Sequence, residues 1–252
     1  MAKQRPPKLA QSKEKKKDTS AWVPQRDKID FTLSIRDFPF TEKQKQFIEL
    51  ALDKTTKVIF VDGPAGSSKT ILSVYVALQM LQQRKNGEIY YIRSVVESAD
   101  RSMGFLPGEA DSKFSVYATP LMDKLDELLP QGDVKRLVSE GRIKPMPVNF
   151  MRGLSLYATT LIADESQNFS KKEIITILTR LGKYSKMMFC GDHQQSDISG
   201  KENGLFKMMQ VFDDEESRQN GIYCFRFGKE DIMRSELLKF IIEKLEKAST
   251  IQ

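Results

Sequence analysis

Eight consecutive residues, Gly63, Pro64, Ala65, Gly66, Ser67, Ser68, Lys69 and Thr70, carry the first chemical signal in this chain. Gly63 and Gly66 let a backbone bend and approach a ligand closely without a Cβ. Successive N–H groups, followed by the start of a helix, favour negative charge and so suit phosphate. Lys69 would reach the β- and γ-phosphates of a nucleoside triphosphate, and the Thr70 hydroxyl would coordinate Mg2+. One letter departs from the pattern G-x-x-x-x-G-K-[ST], because Ser68 stands where glycine is asked for.

Two later stretches add to this. In "TTLIADES" the pair Asp164 and Glu165 closes a strand-like run. Asp164 is suited to the Mg2+ shell, and Glu165 to positioning or deprotonating an attacking water. An acidic pair at a strand end is common in isolation; its place after the glycine loop gives it weight. In "CGDHQQSD", Gly191, Asp192 and Gln195 form G-D-x-x-Q, where the Gln195 amide could touch a γ-phosphate and report its loss. His193, the only histidine, falls inside this segment. It could sense phosphate, reads at least as well as a solvent-facing loop residue, and is assigned no role.

These residues need a scaffold. "KVIFVDG" before the loop is a short apolar run and reads as a buried strand, and "TILSVYVALQMLQQRK" after it has an apolar stripe at helical spacing. Strand, glycine loop and helix is the context a phosphate loop requires. Thr41 is the expected N-cap of an earlier helix, with Phe47, Leu50 and Ala51 on one face. Before it, "AWVPQRDKIDFTLSIRDFPF" reads as an extended lead-in. Further strands are expected at "EIYYIRS", "RIKPMP", "TTLIAD", "KMMFCGD" and "IYCFRF", with helices around 113–129, 171–181 and 230–247. The alternation argues for an α/β fold with a mostly parallel sheet. The stretch "RSVVESADRSMGFLPGEADSK" lacks periodicity and reads as a functional loop or small insertion. The methionines at 187, 188, 208 and 209 read as packing residues.

Composition narrows the classes. The 252 residues, 40% hydrophobic, suffice for one core with an appendage. Nine Lys/Arg against three Asp/Glu in residues 1–28 account for the whole net charge of +6. This basic tail could contact phosphates or be a solvated leader. No run reaches membrane-spanning length and the N-terminus lacks a signal-peptide core, so a soluble, cytoplasmic protein with no membrane partner is expected. Cys190 and Cys224 are too few for a zinc set or a disulfide framework and read as buried free thiols.

Taken in order, "GPAGSSKT", "RSVVES…GFLPG", "FMRGLSLYATTLIADESQN", "LTRLG", "GDHQQSDI" and "EDIMRSELLKFIIEKLE" resemble the PhoH-like proteins, ATPases related to superfamily 1 helicases. The resemblance covers roughly residues 38 to 247, which sets a tail and lead-in at 1–37 apart from an ATPase domain at 38–252. It implies a three-layer, RecA-like P-loop NTPase fold, with ATP and Mg2+ as ligands. It also implies RNA or single-stranded nucleic acid as partner and a homo-oligomeric ring, for instance a hexamer. Within it Gln44 matches a helicase-like glutamine that reads adenine, its amide offering both donor and acceptor. Arg93 and Glu97 match a segment used for nucleic acid. Arg152 and Arg180 match arginines that serve phosphate contact or subunit salt bridges. Arg234 matches a late arginine that could act as a finger on a neighbour's γ-phosphate.

Ser94, Ser166 and Ser68 depart from the family pattern. The residues before Thr41 are too few for a nuclease domain, so ribonuclease activity is not expected, and a second motor lobe is not evident. A site completed by neighbouring subunits is therefore expected. Two other functions share the loop. One is a nucleotide switch with little hydrolysis, motivated by Ser68; the other is a small-molecule kinase, for which no arginine-rich lid is visible.

Overall fold

Runs such as "VIFVD" and "TTLIAD" show no polar alternation, the pattern of strands covered on both faces. In the computed structural model, which describes residues 29–94, 110–195, 203–232 and 244, those runs lie inside a single sheet. Its strands are β1 (Val58–Asp62), β2 (Glu88–Arg93), β3 (Ile143–Pro147), β4 (Thr159–Asp164), β5 (Lys186–Gly191) and β6 (Ile222–Arg226). Their order is β3-β2-β4-β5-β1-β6, and each pairing is parallel. All six match the expected strands, and the α/β reading holds.

The helices are α1 (Glu42–Leu52), α2 (Lys69–Gln82), α3 (Ala110–Leu128), α4 (Gln131–Ser139), α5 (Lys171–Leu178), α6 (Gly204–Phe212) and α7 (Glu215–Gln219). Because side chains alternate across a strand, each strand feeds two cores. Ile59, Val61, Ile89 and Tyr91 pack against Phe47 of α1, Leu78 of α2, Leu125 of α3 and Leu137 of α4. Phe60, Ile92, Leu161 and Phe189 pack against Ile174 of α5 and Leu205 and Met208 of α6. The result is three layers: helices, sheet, helices. Met187 and Met188 face opposite cores from adjacent positions, as packing residues should.

Local signals explain several boundaries. Thr41 closes a full capping box with Gln44, its hydroxyl accepting from the Gln44 N–H while the Gln44 side chain accepts from the Thr41 N–H. Residues 29–40 form neither helix nor strand, and Ile29 and Leu33 are buried against the first core. Pro145 and Pro147, two positions apart, take two N–H donors off the same side of β3. That is tolerated because β3 is the sheet's rim strand. Cys190 is buried and Cys224 half-buried, both free. Burial pushes each thiol up to about 12.

Candidate nucleotide site

In a parallel sheet every strand ends on the same rim, where α/β proteins bind ligands. Here β5 lies between β1 and β4, so the glycine loop, the acidic pair and the G-D-x-x-Q segment emerge side by side.

The loop turns into α2 through Gly66 at φ 86° and Ser68 at φ 66°, ψ 16°. Ser68 therefore adopts the left-handed conformation for which the pattern's glycine is suited, and its side chain makes no capping bond to the helix. Ser67 is buried, and its hydroxyl donates to Pro64 O at 2.8 Å, cross-linking the loop. The Lys69 ammonium donates to Gly63 O at 2.6 Å, Pro64 O at 2.9 Å and Ser67 Oγ at 3.4 Å. Burial lowers the Lys69 pKa, opposed chiefly by the negative charge of Asp192.

From α2 the Thr70 hydroxyl donates to Asp164 Oδ1 at 2.7 Å, and from β2 the Tyr91 hydroxyl donates to Asp164 Oδ2 at 2.5 Å. Asp164 is 6% exposed, so both carboxylate oxygens are fixed. Tyr91 is held in its neutral, donating form, because burial and the adjacent Asp164 both raise its pKa. Glu165 sits at φ 52°, ψ 41°, a left-handed conformation rare outside glycine and concentrated at functional sites. Its Oε2 accepts from Gln167 Nε2 at 2.7 Å, and its Oε1 pairs with Arg93 at 3.5 Å.

Gln167 is bonded at both ends, its Oε1 accepting from the Asp192 N–H at 3.1 Å. This bridge joins the acidic pair to the G-D-x-x-Q segment, and it requires Gly191. A Cβ on Gly191 would stand 2.5 Å from Leu205 Cδ2 and 2.7 Å from Gln167 Oε1. The Asp192 carboxyl has its pKa raised by burial, opposed by the Gln194 N–H and then by Lys69. His193 is tied to the strand before the loop, with its N–H at 3.1 Å and Nδ1 at 2.7 Å from the Asp62 carboxylate.

Ala65, Gly66, Ser68, Lys69 and Thr70, together with Asp164, Glu165 and Gln195, line one cavity of about 510 Å3. Gln44 also lines it and is 2% exposed. Its Oε1 is engaged by Thr41 at 3.1 Å, which leaves Nε2 as the donor end of the amide. Gly63 and Pro64 face a separate, smaller hollow beside Asp62 and His193. Arg93 does not line the cavity and joins the site through its 3.5 Å pair with Glu165. Arg152 is exposed beyond the 3-10 turn Val148–Met151 and does not line the cavity. Arg180 donates to Leu154 O, Thr176 O and Thr179 Oγ1, bracing two loops. Glu97 and Arg234 lie outside the described residues, as do the basic tail at 1–28, the stretch 95–109 and most of the helix expected at 230–247.

A family model described as PhoH-like protein matches residues 38–246. The chain belongs to the PhoH-like protein family. It is 32% identical to a PhoH-like protein of Synechocystis over 209 residues, 82% of this chain and 62% of that protein. With a PhoH-like protein of Bacillus subtilis it shares 34% identity over 208 residues, 82% of this chain and 63% of that one. The chain thus spans less than two thirds of these relatives. Among solved structures, the large terminase of a thermophilic bacteriophage, in complex with ADP, aligns with a TM-score of 0.49 and 12% identity. That alignment covers 81% of this chain and 50% of the terminase. The PhoH-like chain has an α/β fold with a parallel six-stranded sheet, and no helix among its described residues is long and apolar enough to cross a membrane.

Three features of this PhoH-like site were not read from the sequence. Gln167 carried a weak signal, an amide two positions after the acidic pair. Phe38, Phe40 and Tyr75 line the cavity beside Gln44, with the Phe40 and Tyr75 rings edge to face at 5.0 Å. Lys124 and Glu127 of α3 also reach it. Their proximity is created by packing between helices far apart in sequence, which periodicity does not report.

Proposed function

We propose that this chain binds and hydrolyses ATP with Mg2+, and that it does so with RNA or single-stranded nucleic acid as a homo-oligomeric ring. The observation that carries the reading is the 2.7 Å bond between Thr70 and Asp164. A hydroxyl and a buried carboxylate, both oxygen donors, converge at the mouth of a loop whose lysine faces the same cavity. That donor set fits Mg2+, which prefers hard oxygen ligands and is held in such folds by a loop hydroxyl and a strand-end aspartate. When bound, Mg2+ neutralises charge on the β- and γ-phosphate oxygens.

The chain's own residues do the rest. Lys69 exchanges loop carbonyls for phosphate oxygens, and the loop N–H groups and the α2 N-terminus share the negative charge. Glu165, oriented by Gln167 and Arg93, accepts the proton of the attacking water. Gln195 approaches from the third loop and senses the terminal phosphate. Gln44, flanked by Phe40 and Tyr75, receives the base. Arg234 of a neighbouring copy supplies the positive charge that the site needs as phosphoryl transfer proceeds. Ser68 keeps the left-handed turn of the usual glycine, which favours a working loop over a non-hydrolysing switch.

The test is an ATPase assay with and without single-stranded RNA or DNA, on the parent chain and on Lys69→Ala and Glu165→Gln. Turnover that depends on both residues supports the reading. Activity that neither variant alters overturns it.

A further inference from the structure

The chain has five non-glycine residues at positive φ among those described: Ser68, Arg84, Ala158, Glu165 and Tyr184. Two belong to the nucleotide site. The other three lie at the opposite end of the sheet, in the loops that enter β2, β4 and β5. Such strain persists only where surroundings enforce it, and it concentrates at functional positions; for a residue as bulky as tyrosine it is a marked outlier.

The loops entering β2, β4, β5 and β1 stand in the order of those strands in the sheet. They are fastened side by side. Gly87 N–H donates to Ala158 O at 2.8 Å, Ala158 N–H to Lys183 O at 3.0 Å, and Lys186 Nζ to Asp53 O at 2.8 Å. Gly182 permits the closest approach, since a Cβ there would lie 1.9 Å from Leu156 O.

This row carries Arg84, Lys85, Lys183, Lys54 and Lys57, all exposed, against Asp53 as its one carboxylate. None of those five cations forms a salt bridge among the described residues, although elsewhere Arg136, Arg218 and Lys124 do. Between them Tyr184 is 70% exposed, its ring edge to face with Tyr157 at 5.6 Å and 87°. Three strand spacings make the row about 14 Å wide.

We infer that this pole is a binding surface for single-stranded nucleic acid, in which the cations track the phosphates and Tyr184, braced by Tyr157, stacks on a base. Cationic grooves with aromatic platforms bind single strands in this way, and left-handed backbone at Tyr184 is what turns its ring outward. The inference rests on the nucleic-acid part of the proposed function and gives that partner a surface away from the nucleotide cavity.

The experiment uses the full chain and fluorescently labelled oligo(U) and oligo(dT), read by anisotropy across a salt series. Tyr184→Gly removes the ring and also the left-handed strain, so its Tm stays close to the parent's while binding weakens roughly fivefold or more. Tyr184→Phe keeps parental binding. The triple variant Lys54→Ala/Lys57→Ala/Lys183→Ala flattens the slope of log K against log salt by about 2, at about 0.7 per lost phosphate contact. Losses shared by both oligomers mark a common stacking surface, and losses confined to one name the preferred strand. If the parent binds while Tyr184→Gly and the triple variant bind equally well, this inference fails and the proposed function stands. A parent that binds neither oligomer overturns both the inference and the nucleic-acid part of that function. A change in oligomeric mass with unchanged oligonucleotide binding would instead make the pole a contact between copies and overturn the inference.

Discussion

The two ends of the sheet handle charge in opposite ways. At the carboxyl ends of the strands, Asp62, Asp164 and Asp192 are buried, and each has a specific partner. At the amino ends, five cations stand exposed without salt bridges among the described residues. Both ends contain left-handed residues with side chains. At one end that backbone turns Ser68 and Glu165 into a cavity; at the other it turns Tyr184 towards solvent. The contrast teaches that left-handed backbone aims a side chain in both places, while burial separates the candidate site, where charges are paired and enclosed, from the opposite pole, where they stand in solvent.

The largest expected effect belongs to the carboxyl end. Glu165→Gln should lower kcat by about 10²- to 10⁴-fold, the usual contribution of a positioned general base, while fluorescent-nucleotide titration still shows binding. Lys69→Ala should weaken the binding itself. Equal turnover by parent and Glu165→Gln would remove the chemical half of the contrast.

Gly191→Ala comes next. Its Cβ would displace Gln167 or Leu205, at a cost of about 1–3 kcal/mol for overpacking, measurable by urea denaturation. Because Gln167 orients Glu165, kcat should fall as well. Gln167→Leu should lower kcat with a smaller change in stability. A variant of either kind with full activity would show that the bridge is ornamental to the chemistry.

A pH series tests the amino end. Lys186, at the start of β5, is buried and donates to Ala51 O and Asp53 O, and burial pushes its pKa down to about 8 from 10.5. As pH rises from 8 the folded chain releases this proton while the unfolded chain keeps it. The unfolded state then binds more protons, and stability rises with pH. Above the ordinary thiol value of 9.0 the slope turns over, because Cys190 and Cys224 hold their protons to about 12 when folded and lose them when unfolded. The gain between pH 8 and 9 should be about 0.3 kcal/mol, the contribution of Lys186, on the order of 1 kcal/mol, less the roughly two thirds of it that the two thiols offset as they begin to ionise in the unfolded chain. It should be smaller in Lys186→Met, as read by denaturation midpoints at the two pH values. An unchanged slope in that variant would assign the effect elsewhere.

Ser68→Gly carries the smallest effect. Left-handed strain of roughly 1–2 kcal/mol is relieved, offset by a glycine entropy cost of about 0.5–1 kcal/mol, so Tm should rise by a few degrees at most. A fall in Tm would mean that the serine side chain contributes to the loop by a contact beyond its backbone conformation.

Much of the site was legible because its residues are adjacent in sequence. Lys69 and Thr70 follow a strand and open a helix, and Asp164 and Glu165 end a strand, so pattern and position agree. Thr41 announced a helix start as an N-cap residue, and the structure forms it, adding Gln44 as a capping partner not read from the sequence. The helices α4, α6 and α7 were not legible. They are short, and α4 buries only Val134 and Leu137, too few positions for a helical period to stand out. Met208 and Met209 read as packing residues without revealing the helix that carries them.

By itself the sequence determined the alternation of strands and helices, the glycine loop between strand and helix, the acidic pair at a strand end and the family. These depend on local spacing and on apolar runs, which a linear chain records. Only the tertiary structure decided that β5 separates β1 from β4, that Gln167 joins two loops, and that Phe40, Tyr75 and Gln44 share one cavity. It also decided which loops meet at the amino ends of the strands. The physical reason is that strand order and backbone handedness are set by packing across the whole sheet, so the neighbours of a residue in space are not written beside it in the chain.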